Sequence, residues 1–158
     1  MEQFNVFGLP KKYTDEMADK LNQLLSDFQI YYQNLRGMHW NIKGAHFLVL
    51  HVKLEELYNV AAENVDEIAE RILILENQPL HTLQDYVQQS SLPVARDVRD
   101  PQQAINFVIG NLKALIDLER KLISVAEAYN DHGTITILSD YISRQEKEVW
   151  MLRSSLQE

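Results

Sequence analysis

From Phe47 to Asn77 the chain contains neither proline nor glycine. Those two residues are the strongest helix breakers: one lacks a backbone donor, the other loses most entropy on ordering. Apolar residues recur through the run at helical spacing, so it reads as one continuous helix from about Phe47 to Glu76. Asn77-Gln78-Pro79 ends it, because proline cannot continue the ladder and restricts the residue before it.

Five Gly and four Pro punctuate 158 residues, and the β-branched residues are scattered. The chain is therefore expected to be all-α. A first helix is expected from about Thr14 to Asn41, with Thr14 or Asp15 as its cap. Leu21, Leu24, Leu25, Phe28, Tyr31, Tyr32 and Leu35 give it an apolar stripe. Gly37 inside it costs about 1 kcal/mol and marks a place for close packing. Lys43-Gly44 breaks the pattern. After Pro79 comes a long connection, in which Thr82 caps a short helix, Leu83 to Gln89, before the loop Ser90-Ser91-Leu92-Pro93. Asp100 as cap and Pro101 at the first helical position open a third long helix to about Tyr129. Asn130-Asp131-His132-Gly133 is a turn, and the last helix spans about Thr134 to Ser155. Four long helices with one long crossover, between the second and third, suggest a ferritin-like four-helix bundle, expected as a single domain over residues 1–158.

Hydrophobic residues make up 46% of the chain, enough for a packed core. The net charge of -8 repels a nucleic-acid backbone and attracts cations. With no cysteine, disulfides, zinc knuckles and thiol catalysis are excluded. Met1 to Pro10 lacks a basic segment followed by an apolar one, so no signal peptide is expected. No apolar run approaches the roughly 20 residues that span a bilayer. A soluble, cytoplasmic protein is expected.

On a wheel of the second helix, with His51 at zero and about 100° per residue, Glu55 lies near ~40°, Asp66 near ~60°, Glu70 near ~100° and Glu63 near ~120°. Leu50, Leu57, Ala61, Val65, Ile68, Ile72 and Leu75 occupy another face, between roughly 240° and 320°, which is the bundle core. The acidic face is not plain solvent surface, because Leu48, Val52, Ala62 and Leu73 fall among its carboxylates. This helix is expected to be buried on two sides, once against its own bundle and once against a partner.

His51 and Asp66 are fifteen residues apart, about 22 Å along a helix, and no metal ion bridges that distance. Either the two are unrelated or a second copy completes the site. With the same helix of that copy running antiparallel about a two-fold axis, His51 meets Asp66 and Glu70 of the neighbour, and symmetry makes two equivalent sites. A reversal at Lys43-Gly44 can return His39 beside His51. Two neutral imidazoles with three carboxylates suit divalent iron, zinc or manganese better than copper(I). Arg36, Lys43, Leu48, Gln78 and Tyr129 stand three residues before the five histidines, so no Glu-x-x-His pair exists and an intrasubunit di-iron site is not expected. His-Glu-x-x-His, a Gly-rich phosphate loop and a Gly-x-Ser-x-Gly elbow are likewise missing.

The run Gly37-Met38-His39-Trp40-Asn41-Ile42-Lys43-Gly44, then Phe47, Leu50-His51, Leu54-Glu55-Glu56-Leu57-Tyr58 and Asp66-Glu67-Ile68-Ala69-Glu70-Arg71 closely resembles the Dps-type mini-ferritins, the DNA-protection-during-starvation proteins of bacteria. The resemblance spans nearly the whole chain and is tightest from about Tyr31 to Pro79. It implies a hollow dodecamer with ferroxidase centres at two-fold interfaces. By this resemblance, His39 and His51 of one subunit and Asp66 and Glu70 of the other are expected as the catalytic ligands of Fe(II) and Fe(III). Glu55, standing where such proteins often have aspartate, is expected as a further metal ligand. Trp40 and Trp150 match aromatic positions close to that centre. The implied activity is oxidation of Fe(II) by hydrogen peroxide, or by dioxygen, with the ferric product stored as mineral inside the shell and cells protected from oxidative damage. The alternative is a non-enzymatic DNA-compacting protein. Against it, the N-terminus offers only Lys11 and Lys12 and the C-terminus Leu156-Gln157-Glu158 is acidic.

Overall fold

A computed structural model describes residues 3–156. Five helices follow in order: α1 (Lys11–Asn41), α2 (Phe47–Ile74), α3 (Leu83–Gln89), α4 (Pro101–Glu127) and α5 (His132–Ser155). The four long helices form the bundle. α1 packs along α2, α4 along α5 and α1 against α4, while the short α3 lies on α1. Among the described residues, β-structure is limited to one isolated bridge, Phe4 to Pro10. No helix among them is long and apolar enough to cross a membrane. The chain is an all-α four-helix bundle with an extra short helix in its crossover.

On α2 the expected core positions Leu50, Leu57, Ala61, Ile68, Ile72 and Leu75 are buried. Leu54 and Asn64 are buried with them, and Val65 is half-buried. The helix ends at Ile74, two residues short of expectation, because Glu76 turns into the left-handed region at φ 60°. α3 has the expected bounds, with the Thr82 side chain accepting from the Asp85 amide at 3.1 Å. Asp100 caps α4 through the Gln103 amide at 2.8 Å, and Pro101 occupies the first turn. α4 ends at Glu127, just before Tyr129.

Two helix starts differ from expectation. α1 begins at Lys11, so neither Thr14 nor Asp15 caps it. Thr14 is buried in the first turn and its hydroxyl donates back to the Lys11 carbonyl at 3.1 Å. The Lys11 amide instead donates to the Gln3 carbonyl at 2.7 Å, a bond made by a folded-back N-terminal hook. α5 begins at His132, because Asp131 rather than a later residue caps it, accepting from the Thr134 amide at 3.1 Å. A Cβ built on Gly37 meets nothing within 4 Å among the described residues, so this glycine marks no close packing there.

The crossover is held by polar side chains of α1. The Leu80 amide donates to Asn22 Oδ1 at 2.8 Å, and the Ser91 amide to Asp27 Oδ1 at 2.7 Å. Asn34 donates to the Pro93 carbonyl and accepts from the Ala95 amide, both at 2.9 Å. These bonds satisfy loop backbone that would otherwise lie unpaired against the bundle.

Candidate metal centre

α1 and α2 are joined by a tight reversal. Gly44 adopts φ +107°, open to glycine at little cost, and His46 adopts φ +64°. The Lys43 amide fastens the reversal to the Arg99 carbonyl at 2.9 Å. The reversal stacks His39, from the last turn of α1, on His51, from the first turns of α2. Their ring centroids are 3.7 Å apart and their planes 15° from parallel.

Each ring is fixed by the backbone of the other residue. His39 Nδ1 lies 2.7 Å from the His51 carbonyl oxygen, and His51 Nδ1 lies 2.9 Å from that of His39. A carbonyl oxygen can only accept, so in both rings Nδ1 carries the hydrogen and donates. In the neutral imidazoles the lone pair is thereby left on Nε2. This is the arrangement by which proteins prepare histidines as metal ligands: one nitrogen tied to an acceptor, the other free. Phe47 stacks on His51 at 5.0 Å, and Tyr58 meets His39 edge-on at 5.3 Å, so the pair has apolar walls. Neither Phe47 nor Tyr58 is among the expected site residues. Tyr58 was detectable, since seven residues after His51 is two turns along the same face.

Asp66 and Glu70 lie on the same helix as His51 but far along it, and both are exposed, as are Glu55 and Glu63. Among the described residues these four carboxylates make no hydrogen bond or ion pair. Likewise, no three His, Asp or Glu side chains converge into a group able to hold a metal ion. One chain thus presents two separate groups, an imidazole pair near one end of α2 and a carboxylate pair toward the other. Between and beyond the carboxylates the surface is apolar, with Leu48 76%, Val52 53% and Leu73 58% exposed. Trp40, beside His39, is 57% exposed and lies under the Arg36 guanidinium at 4.8 Å. Trp150 is exposed near the end of α5 and, among the described residues, makes no aromatic contact with the histidines.

This bundle, with a crossover helix and donors divided between the ends of its second helix, has the architecture of a ferritin-like protein. The family model described as ferritin-like domain matches residues 18–158. A DNA protection during starvation protein of Porphyromonas gingivalis is 36% identical over 93% of this chain and 92% of its own. A crystal structure of a Dps protein from Vibrio cholerae, described as a member of a broad superfamily of ferritin-like diiron-carboxylate proteins, superimposes with a TM-score of 0.95. It is 36% identical, over 98% of this chain and 97% of that one. A Dps crystal structure from Bacillus brevis gives a TM-score of 0.90 at 29% identity, over 92% of this chain and 98% of its own. The chain belongs to the ferritin-like family and, within it, to the Dps-type mini-ferritins.

Proposed function

We propose that the protein is an iron-sequestering ferroxidase whose sites are shared between two copies. His39 and His51 of one copy hold Fe(II) through their Nε2 atoms, and Asp66 and Glu70 of the other complete the coordination, with Glu55 as a further ligand. The observation that carries this reading is the reciprocal tethering of the two imidazoles, which leaves both Nε2 lone pairs free. Asp66 and Glu70, without a partner among the described residues and about 22 Å and about 28 Å along the helix from His51, supply the complementary half. The diiron-carboxylate description of the Vibrio cholerae protein supports iron as the substrate, and the relatives' names support a role in protecting DNA.

The chemistry follows from the donor types. Neutral imidazoles bind Fe(II), and hard carboxylates favour Fe(III), so the mixed set lowers the cost of oxidation. With hydrogen peroxide as oxidant, two Fe(II) give one electron each. The O–O bond breaks, and two protons complete two waters. The products are two Fe(III) and no hydroxyl radical. Dioxygen is the alternative oxidant. The ferric product is stored as mineral inside a hollow dodecamer in the cytoplasm, which protects the cell, its DNA included, from peroxide and free iron.

The test is anaerobic loading of purified protein with Fe(II), a pulse of hydrogen peroxide, and absorbance in the ferric-oxo region. The expected outcome is rapid oxidation in the wild type, slowed by about tenfold or more in His51→Ala with the assembly intact. Oxidation no faster than the buffer blank would overturn the ferroxidase reading.

A further inference from the structure

We propose that Asn59 lies on the two-fold axis relating two copies of α2, where its amide pairs with that of its own copy and fixes their antiparallel register. The inference rests on the shared-site reading above and adds the residue that sets its geometry.

An antiparallel pair of identical helices is symmetric about one point on each helix. If His51 of one copy faces Asp66 and Glu70 of the other, that point lies midway between them along α2. The midpoint to Asp66 falls between positions 58 and 59, and that to Glu70 between 60 and 61. The axis therefore crosses α2 at residues 59 and 60. Of these two, Val60 points about 180° round the helix from His51, away from the shared face. Asn59 points at about 80°, in the middle of the arc that carries Leu48, Glu55, Asp66 and Glu70.

Several features fit this placement. Asn59 is exposed, and among the described residues its side chain makes no hydrogen bond. Ala62, at about 20° on the same face, is small enough for the two backbones to approach at the crossing. Leu48 and Leu73 stand at similar distances on opposite sides of the axis, so exposed Leu48 of one copy meets exposed Leu73 of the other. Apolar side chains thus cover the two ends, and a single amide stands at the centre.

The chemistry of the residue suits the position. A side-chain amide carries both a donor and an acceptor, so two amides related by a two-fold can satisfy each other reciprocally. A carboxylate or an ammonium in that place faces its own charge. A lone amide at a helix–helix interface costs little in the correct register, and a slipped register leaves it unpaired. Polar groups fix register elsewhere in the same way.

The test is a charge swap. Asn59→Asp and Asn59→Lys are each expressed alone and then together, with circular dichroism to check helicity. Assembly is read by light scattering and Fe(II) oxidation by peroxide is read alongside. Each variant alone should place like charges at every axis and lose assembly and oxidation about tenfold or more. Co-expression should restore both, because opposite charges then face each other. If both single variants assemble and oxidise like the wild type, Asn59 is off the axis and the proposal fails while the shared site survives. If both are impaired and co-expression restores nothing, the residue does not face its own copy and the proposal also fails. A wild type that neither assembles nor oxidises iron would instead overturn the functional reading on which the proposal rests.

Discussion

Glu119 brings a carboxyl group into the centre of the bundle, where its residue has no exposed surface. Gln145 Nε2 donates to its Oε1 at 2.7 Å, and the Arg144 charge adds to that pull toward the ionised form. Burial outweighs both and pushes the carboxyl up to about 8 from an ordinary 4.5. The unfolded chain therefore releases this proton well before the folded one does. The stability contributed by the neutral form is fully present below about 4.5 and is lost as pH rises through about 8. The total is on the order of 5 kcal/mol. Thermal melts at fixed protein concentration should show the midpoint falling across that window, and Glu119→Gln should flatten the fall. An unchanged slope in the variant would place the alkaline loss elsewhere. At this scale the helical period placed His51, Asp66 and Glu70 on one helix, and all three lie on α2. The burial of Glu119 was not legible, because an acid on an amphipathic helix reads as surface until its neighbours are known. The tautomers of His39 and His51 were equally hidden, since each is set by a carbonyl twelve residues away.

The connection between α4 and α5 shows how one turn ties several elements together. Asp131 caps α5, accepts from the buried Tyr13 hydroxyl of α1 at 2.7 Å and pairs with Arg71 of α2. Arg71 Nε also donates to Thr134 Oγ1 at 3.0 Å, so its guanidinium is held on two sides. A Cβ at Gly133 would sit 2.7 Å from Arg71 Nη1 and 2.9 Å from Cζ. Gly133→Ala must therefore push Arg71 off Asp131, and a loss of about 1–3 kcal/mol is expected in denaturant unfolding. If the stability does not change, the guanidinium is free to move aside. Element by element, breakers and caps that act within a few residues were readable. Thr82 opened α3 and Asp100-Pro101 opened α4, whereas α2 stopped two residues early at a left-handed Glu76 that no breaker announces. The start of α1 was not readable, because its first amide is satisfied by Gln3 across a hook, a contact that no local signal announces. The crossover bonds of Asn22, Asp27 and Asn34 have partners 58 to 64 residues away, and on the helix wheel those residues are merely polar.

At the scale of the whole molecule, the separation of donors along α2 makes a prediction that no intrasubunit site shares. On the proposed reading, each site in a dimer of two wild-type copies takes His39 and His51 from one chain and Asp66 and Glu70 from the other. His51→Ala destroys the histidine half, and a chain with both Asp66→Ala and Glu70→Ala destroys the carboxylate half. Alone, each variant has every site broken. In a mixed dimer both defects fall in one site, and the other site is built from an intact histidine pair and an intact carboxylate pair. Random co-assembly makes about half of the dimers mixed and one site in two of those complete, so about a quarter of wild-type Fe(II) oxidation should return. The measurement is peroxide-driven oxidation by the two variants expressed separately and then together at equal levels. Recovery near a quarter requires that the site cross between copies. No recovery, from co-assembled material of wild-type size, would mean that both halves act within one chain or not at all. The reach along α2 was legible in the amino-acid sequence because helical rise alone sets it. Its consequence is a count of intact sites, which depends on neither the oxidant nor the number of irons that each site holds.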